Sequence, residues 1–149
     1  PDVVIMGSRS YAFTPEEWIT GTSAVLTRLA PAARSVVILS PTPDLGLDGP
    51  NCLSMEVNIP KWISRGSRCS TRFAPETPPG AREFLEEAAL PYSNTRVIDL
   101  SESVCPDGIC RARTEQGIAF RDNQHLTASF VRSLAPELEK ALEKAGALR

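Results

Sequence analysis

The one histidine of this chain, His125, stands three residues after Asp122 in the stretch RDNQHLTAS. A carboxylate held against an imidazole fixes its tautomer and stabilises the imidazolium that forms when the ring takes a proton, so this pair has the chemistry of a general base and its orienter. A spacing of three across a turn, or across the first turn of a helix, puts both side chains on one side of the backbone. The same residues also read as a helix cap, an Asp followed by a polar first turn, and the spacing alone favours that plainer reading. GSRS, residues 7 to 10, supplies further polar candidates, Ser8, Arg9 and Ser10. Taken alone, these are turn hydroxyls and a solvated guanidinium. The run ELEKALEK is an exposed helix face with i,i+4 charge pairing.

The 4 cysteines, Cys52, Cys69, Cys105 and Cys110, are the second chemical feature. The last two bracket CPDGIC, in which Pro106 and Gly108 turn the chain back on itself. Two disulfides are expected, Cys105 to Cys110 and Cys52 to Cys69, with chain-entropy contributions of about 2 and about 3 kcal/mol. A zinc site is the rival, disfavoured by the single histidine and the lack of paired C-x-x-C knuckles. Disulfides imply an oxidising compartment outside the cell membrane.

Several elements must position these residues. DVVIM, residues 2 to 6, and SVVILSPTP, residues 35 to 43, are short apolar runs rich in β-branched residues, suited to strands buried on both faces of a parallel sheet. Between them TPEEW opens a helix, with Thr14 as cap, Pro15 at the first position and Glu17 closing a capping box. Trp18, Thr22, Val25, Leu26 and Leu29 then share its inner face, and Pro31 ends it. Residues 44 to 76 are irregular, with a short helix expected near PKWISRG. A helix follows from Pro78 to Leu90, then a third strand at TRVIDL, residues 95 to 100. GIAFRD is an extended segment leading into a helix from Asn123, broken or restarted at Pro136 and ended by Gly146. This alternation predicts one domain over residues 1–149, a three-layer α/β/α sandwich with a mostly parallel sheet.

A chain of 149 residues with 42% hydrophobic and 23% charged residues has the composition of a globular domain. No apolar run approaches the roughly 20 residues that span a bilayer. A net charge of -2 with interspersed signs argues against nucleic acid as a partner. The start at Pro1 suggests a piece of a longer protein.

Taken together, PDVVIMGSRS, PTP followed by NCLS, VCPDGIC, and AFRDNQHLTASFVRSLAPEL resemble the later two-thirds of SGNH/GDSL-type hydrolase domains. The likeness is to those fused behind bacterial integral-membrane acyltransferases that modify cell-envelope glycans. The resemblance implies a flavodoxin-like SGNH fold lacking its first strands, and a serine acyl transfer in which His125 is the base and Asp122 its orienting carboxylate. The family's G-D-S nucleophile then lies upstream of residue 1, and PDVVIMGSRS matches its third block, G-x-N-D. Arg9 replaces the oxyanion-binding Asn of that block. Aligning IMGSRS with the nucleophile block instead puts Arg9 where the serine belongs and leaves Ser8 or Ser10 as substitute. No metal or organic cofactor is expected. The implied partners are an acyl donor, a polysaccharide or glycolipid acceptor, and a membrane acyltransferase domain that tethers the chain on the extracytoplasmic side. A missing inner strand would leave a sheet edge open to self-association. A non-catalytic envelope module that binds glycan or a membrane partner is the alternative.

Overall fold

The computed structural model of the protein describes residues 1–7, 13–57, 69–73 and 80–148. Its elements in chain order are β1 (Val3–Gly7), α1 (Pro15–Leu29), β2 (Ser35–Leu39), α2 (Gly49–Val57), β3 (Ser70–Arg72), α3 (Ala81–Ala89), β4 (Thr95–Ile98), α4 (Ser101–Val104), β5 (Ile109–Arg111), β6 (Arg113–Thr114), β7 (Gly117–Ile118), α5 (Ala128–Ser133) and α6 (Ala135–Lys144). They group into two compact units. The first comprises Pro1–Thr42, Pro75–Leu100 and Glu137–Arg149; the second comprises Pro43–Ala74 and Ser101–Pro136.

The first unit is a three-layer α/β/α arrangement around a parallel sheet of order β1-β2-β4. Period-two alternation along β2 explains why its sequence is apolar throughout. Val36 and Ile38 pack with Trp18 and Leu26 of α1 and Leu85 of α3. Val37, between them, points to the other face and packs with Leu142 of α6. Full burial of each such aliphatic side chain is worth roughly 1.5–3 kcal/mol.

α1 begins as its sequence dictates. Thr14 accepts the Glu17 N–H at 3.2 Å on its hydroxyl, and the Glu17 carboxylate accepts the Thr14 N–H at 2.7 Å, a complete capping box. That backbone donor lowers the Glu17 pKa. The helix ends before Pro31, where the Asn94 amide donates to the carbonyls of Ala30 and Ala33 at 2.9 and 3.0 Å. Trp18, Thr22 and Leu26 are buried, but Val25, expected on the same face, is 43% exposed. α3 starts at Ala81 rather than Pro78, with Gly80 before it at φ 94, a backbone conformation suited to glycine. Residues 74–79 lie outside the described residues.

The second unit is built on antiparallel pairs, β3 with β5 and β6 with β7. The Ala112 N–H donates to the Cys69 carbonyl at 2.8 Å and the Ala119 N–H to the Ala112 carbonyl at 2.9 Å, joining the two pairs into one ribbon. Its core holds Leu45, Cys69, Cys105, Cys110, Ala112, Ala119 and Phe120. Cys52–Cys69 ties α2 to the start of β3, and Cys105–Cys110 closes the CPDGIC turn, so both pairings agree with the sequence reading. Zinc is excluded at these residues because the sulfurs are bonded to each other. Within this turn Asp107 takes a φ of 59, a left-handed conformation that Asp tolerates better than most residues.

Sequence reasoning treated residues 44 to 76 as irregular, yet they supply α2 and β3. The PKWISRG helix lies outside the described residues. The break near Pro136 is present: α5 ends at Ser133 and α6 starts at Ala135, with the proline in the first turn, where its missing N–H costs nothing.

Candidate active site

Asp122 and His125 sit at the tip of a hairpin, not at the head of a helix. The arms are residues 119–121 and 125–127. Phe120 bridges Leu126 in antiparallel fashion, the Arg121 N–H donates to the His125 carbonyl at 2.9 Å, and the Thr127 N–H donates to the Ala119 carbonyl at 2.8 Å. The expected helix from Asn123 instead begins at Ala128, with Thr127 as its cap accepting the Phe130 N–H at 3.2 Å. The burial pattern shows why. Phe120 is wholly buried and Leu126 packs against the same core, so the chain must reverse within a few residues to place both inside. A Thr one residue ahead of ASFVRS was the sequence signal for the later start.

Asp122 caps this turn. Its Oδ1 accepts the Gln124 N–H at 2.8 Å and the His125 N–H at 2.6 Å. The Asn123 carbonyl at the tip accepts the N–H groups of Leu45 and Gly46 at 2.9 and 3.2 Å. Gly49 lets α2 approach this strand: a Cβ there would stand 3.2 Å from the Phe120 carbonyl oxygen and 3.4 Å from the Ala112 Cβ. None of Leu45, Gly46, Gly49 or Thr127 was a sequence candidate, because each acts through backbone or packing that only the folded chain creates.

With Oδ1 committed to the backbone, Oδ2 is left for the imidazole. It lies 2.8 Å from His125 Nδ1, and the two side chains are 48% and 35% exposed for His125 and Asp122 respectively. The guanidinium of Arg121 reaches the same oxygen at 3.7 Å. The N–H donors of His125 and then of Gln124 hold the Asp122 carboxyl down to a pKa of about 2, with a smaller contribution from the imidazole itself. A carboxylate ionised at neutral pH only accepts, so Nδ1 is the donor, and in the neutral ring the lone pair is on Nε2. Nε2 makes no hydrogen bond among the described residues. This is the tautomer that a general base requires.

The depressed pKa has a testable sign. A carboxyl group whose folded pKa lies below its ordinary 3.8 stabilises the fold above that value, and the contribution is lost as pH falls through about 2. Carbon-13 carboxyl shifts of the folded protein are expected to show Asp122 titrating near pH 2. A midpoint near 3.8 would mean that the two backbone bonds do not form.

Ser8, Arg9 and Ser10 lie outside the described residues. Within the first unit, a cavity of about 280 Å³ opens beside the carboxyl end of β1, lined by Met6, Gly7, Phe13, Trp18 and Ile38 among others. Its one carboxylate, Glu17, is occupied in the α1 capping box. Among the described residues no group of three or more His, Cys, Asp or Glu converges on a metal-sized site, and no helix is long and apolar enough to cross a membrane.

The parallel sheet between helical layers defines the class, a three-layer α/β/α protein. Comparison with known proteins places it further. The family described as SGNH domain (fused to AT3 domains) matches residues 1–140. The chain belongs to this family. Among solved structures it is similar to the periplasmic domain of a lipopolysaccharide acetyltransferase from Salmonella ser. Paratyphi A, at a TM-score of 0.60 and 15% identity. That match covers 93% of this chain but 57% of the solved chain. No curated protein matches the sequence significantly.

Proposed function

We propose that this chain is the base-bearing part of a single SGNH domain in a carbohydrate O-acyltransferase or acylesterase that acts on cell-envelope glycans. The observation that carries the reading is the Asp122–His125 pair, with Nδ1 held at 2.8 Å and Nε2 unengaged among the described residues. In the proposed reaction Nε2 takes the proton of a serine hydroxyl as its oxygen attacks the acyl carbonyl. The imidazolium then returns that proton to the leaving group, and a serine ester remains. A sugar hydroxyl, or water, attacks the ester in the second half, with His125 again as base. Family membership supports a membrane acyltransferase domain as neighbour in the parent protein. The two disulfides support an extracytoplasmic location.

The serine is proposed to come from a G-D-S segment upstream of residue 1, with Ser8 or Ser10 as the substitute and Arg9 as an oxyanion donor. Residues 1–149 alone, offered an activated acetyl ester, are therefore expected to show no turnover above buffer. Turnover abolished by His125→Ala would instead put the nucleophile inside the chain. The rival, a non-catalytic envelope module that binds glycan or a membrane partner, predicts no G-D-S within about 100 residues upstream and no activity in the full-length protein.

The sheet edge adds a prediction. β1 pairs with β2 on one side and with nothing described on the other, and Ile5 is 47% exposed. Ladders alternate, so the N–H and C=O groups of every second residue of β1 face outward. Residues 1–149 in isolation are proposed to self-associate through this edge, and Ile5→Lys is expected to shift them to monomer in light scattering. A wild-type chain that is monomeric at high micromolar concentration would show the edge to be inert.

A further inference from the structure

The even net charge of the chain hides a local grouping in the second unit. In the β3–β5 pair Ser70 stands opposite Arg111 and Arg72 opposite Ile109, so Arg72 and Arg111 are diagonal neighbours on one face, roughly 7–8 Å apart. The chain bends at Ala112 between β5 and β6, and burial alternates across the bend. Cys110 and Ala112 are wholly buried, while Arg111 is half-buried and Arg113 exposed. Arg113, like Arg111, is turned away from the core that takes Cys110 and Ala112. Three arginines are thus turned away from the core side of the ribbon, two of them, Arg72 and Arg111, as diagonal neighbours in one ladder.

Among the described residues no carboxylate neutralises these charges. The ion pairs of the described residues involve Arg34, Arg82, Arg121 and His125, and none involves Arg72, Arg111 or Arg113. Among the described residues Arg111 donates only to neutral acceptors, the carbonyls of Ile109 at 3.2 Å and Pro106 at 3.5 Å. Those bonds steer its guanidinium without balancing its charge. The acidic residues nearest in sequence, Asp107 in the cysteine turn and Glu115 in the β6–β7 turn, form no bridge to it or to Arg113. Like charges placed as neighbours on one strand face repel, and the fold gains nothing from the arrangement. Arg72 also lies within a stretch of sequence, residues 57 to 75, that contains no Asp or Glu and is flanked by Glu56 and Glu76. The remaining cations of that stretch lie outside the described residues and form no part of the site.

We propose that the outward face of this ribbon, Arg72, Arg111 and Arg113, binds an anionic saccharide through its carboxylate or phosphate groups. Guanidinium forks suit both anions, because each offers paired oxygens in a plane that two N–H donors can meet. Ile109 and Ile118 stand directly opposite Arg72 and Arg113 in the two ladders, which gives the face apolar patches beside its charges. A sugar ring has the matching division, an apolar C–H face and polar edges. Nucleic acid fits less well: no aromatic residue lies on this face among the described residues, and the chain carries a net charge of -2. The choice of a saccharide over an acidic peptide rests on the acyl-transfer reading above. The binding itself is measured without turnover, so its failure and the failure of that reading are separate results.

The test is calorimetric titration of residues 1–149 with trigalacturonate, maltotriose, glucose 1-phosphate and triglutamate. Trigalacturonate is expected to bind and the neutral maltotriose not to, with an affinity that falls as salt rises. Arg72→Gln/Arg113→Gln alters two exposed side chains that make no hydrogen bond among the described residues, so circular dichroism is expected to be unchanged. Its affinity for trigalacturonate is expected to drop about tenfold, with partial recovery in the Arg72→Lys/Arg113→Lys protein. Binding of glucose 1-phosphate with the same arginine dependence extends the site to phosphorylated sugars and supports the proposal. Triglutamate binding more tightly than trigalacturonate overturns the saccharide assignment. No heat from trigalacturonate at millimolar concentration, or undiminished binding by the glutamine variant, overturns the site.

Discussion

His125→Ala in the full-length acyltransferase proposed to contain this chain is expected to slow acyl transfer roughly 100- to 10,000-fold, the range that a positioned general base contributes. The substitution removes the proton acceptor and also the group that returns the proton to the leaving oxygen, so both half-reactions suffer. Asp122→Asn is the more informative partner. An amide at position 122 keeps an oxygen for the backbone N–H groups of Gln124 and His125, which now lie 2.8 and 2.6 Å from Oδ1. It then presents an NH2 to Nδ1, which favours the wrong tautomer and leaves Nε2 protonated. Activity is expected to fall steeply with little change in KM, together with a modest loss of stability as the charge leaves its two N–H donors, whereas a merely structural Asp122 would lose stability with activity unchanged. Measured kcat and KM for both variants, beside their urea midpoints, separate the two cases. Full activity in His125→Ala would falsify the general-base assignment outright.

Phe120→Ala is expected to destabilise the second unit by about 3–5 kcal/mol, the usual cost of truncating a wholly buried aromatic ring. Phe120 is 0% exposed and shares its cluster with Leu45, Cys69, Ala112 and Ala119. Its burial reaches the chemistry by a short route. The residue bridges Leu126 across the hairpin, one position before Arg121, whose N–H closes the turn on the His125 carbonyl. A cavity at Phe120 loosens the register that sets Asp122 against His125, so activity should fall along with stability. Phe120→Leu fills most of the volume and is expected to lose less of both. Urea denaturation of the three proteins, followed by tryptophan-independent circular dichroism, gives the comparison. A loss below about 1 kcal/mol for the alanine variant would mean that the hairpin is anchored mainly by the carbonyl of Asn123 and its two donors.

How far the sequence could be read depended on how local the cause was. The capping box of α1 is a relation among Thr14, Pro15 and Glu17, within one turn of chain, and it formed as read. β2 came from an unbroken apolar run and is buried on both faces, because such a strand admits little else, whereas β1 and β4 were read from shorter apolar runs and are only partly covered, with Ile5 and Arg96 exposed. The disulfides followed from four cysteines, one close pair of which flanks a turn. Val25 was misplaced because helical periodicity cannot say how wide a stripe the sheet will cover.

The Asp122–His125 pair divides along the same line. The sequence by itself offered one carboxylate and the only imidazole at a separation of three, which a turn or a first helical turn brings onto one side of the backbone. It also determined the cysteine framework and the α/β alternation. Tertiary structure decided that the pair sits on a hairpin rather than a helix. That choice turns on burying Phe120 and Leu126 in one core and on two N–H donors arriving from Leu45 and Gly46. These partners lie more than 70 residues away in the chain, and no local pattern encodes them. The same holds for Arg72 beside Arg111, which only the pairing of β3 with β5 brings to one face.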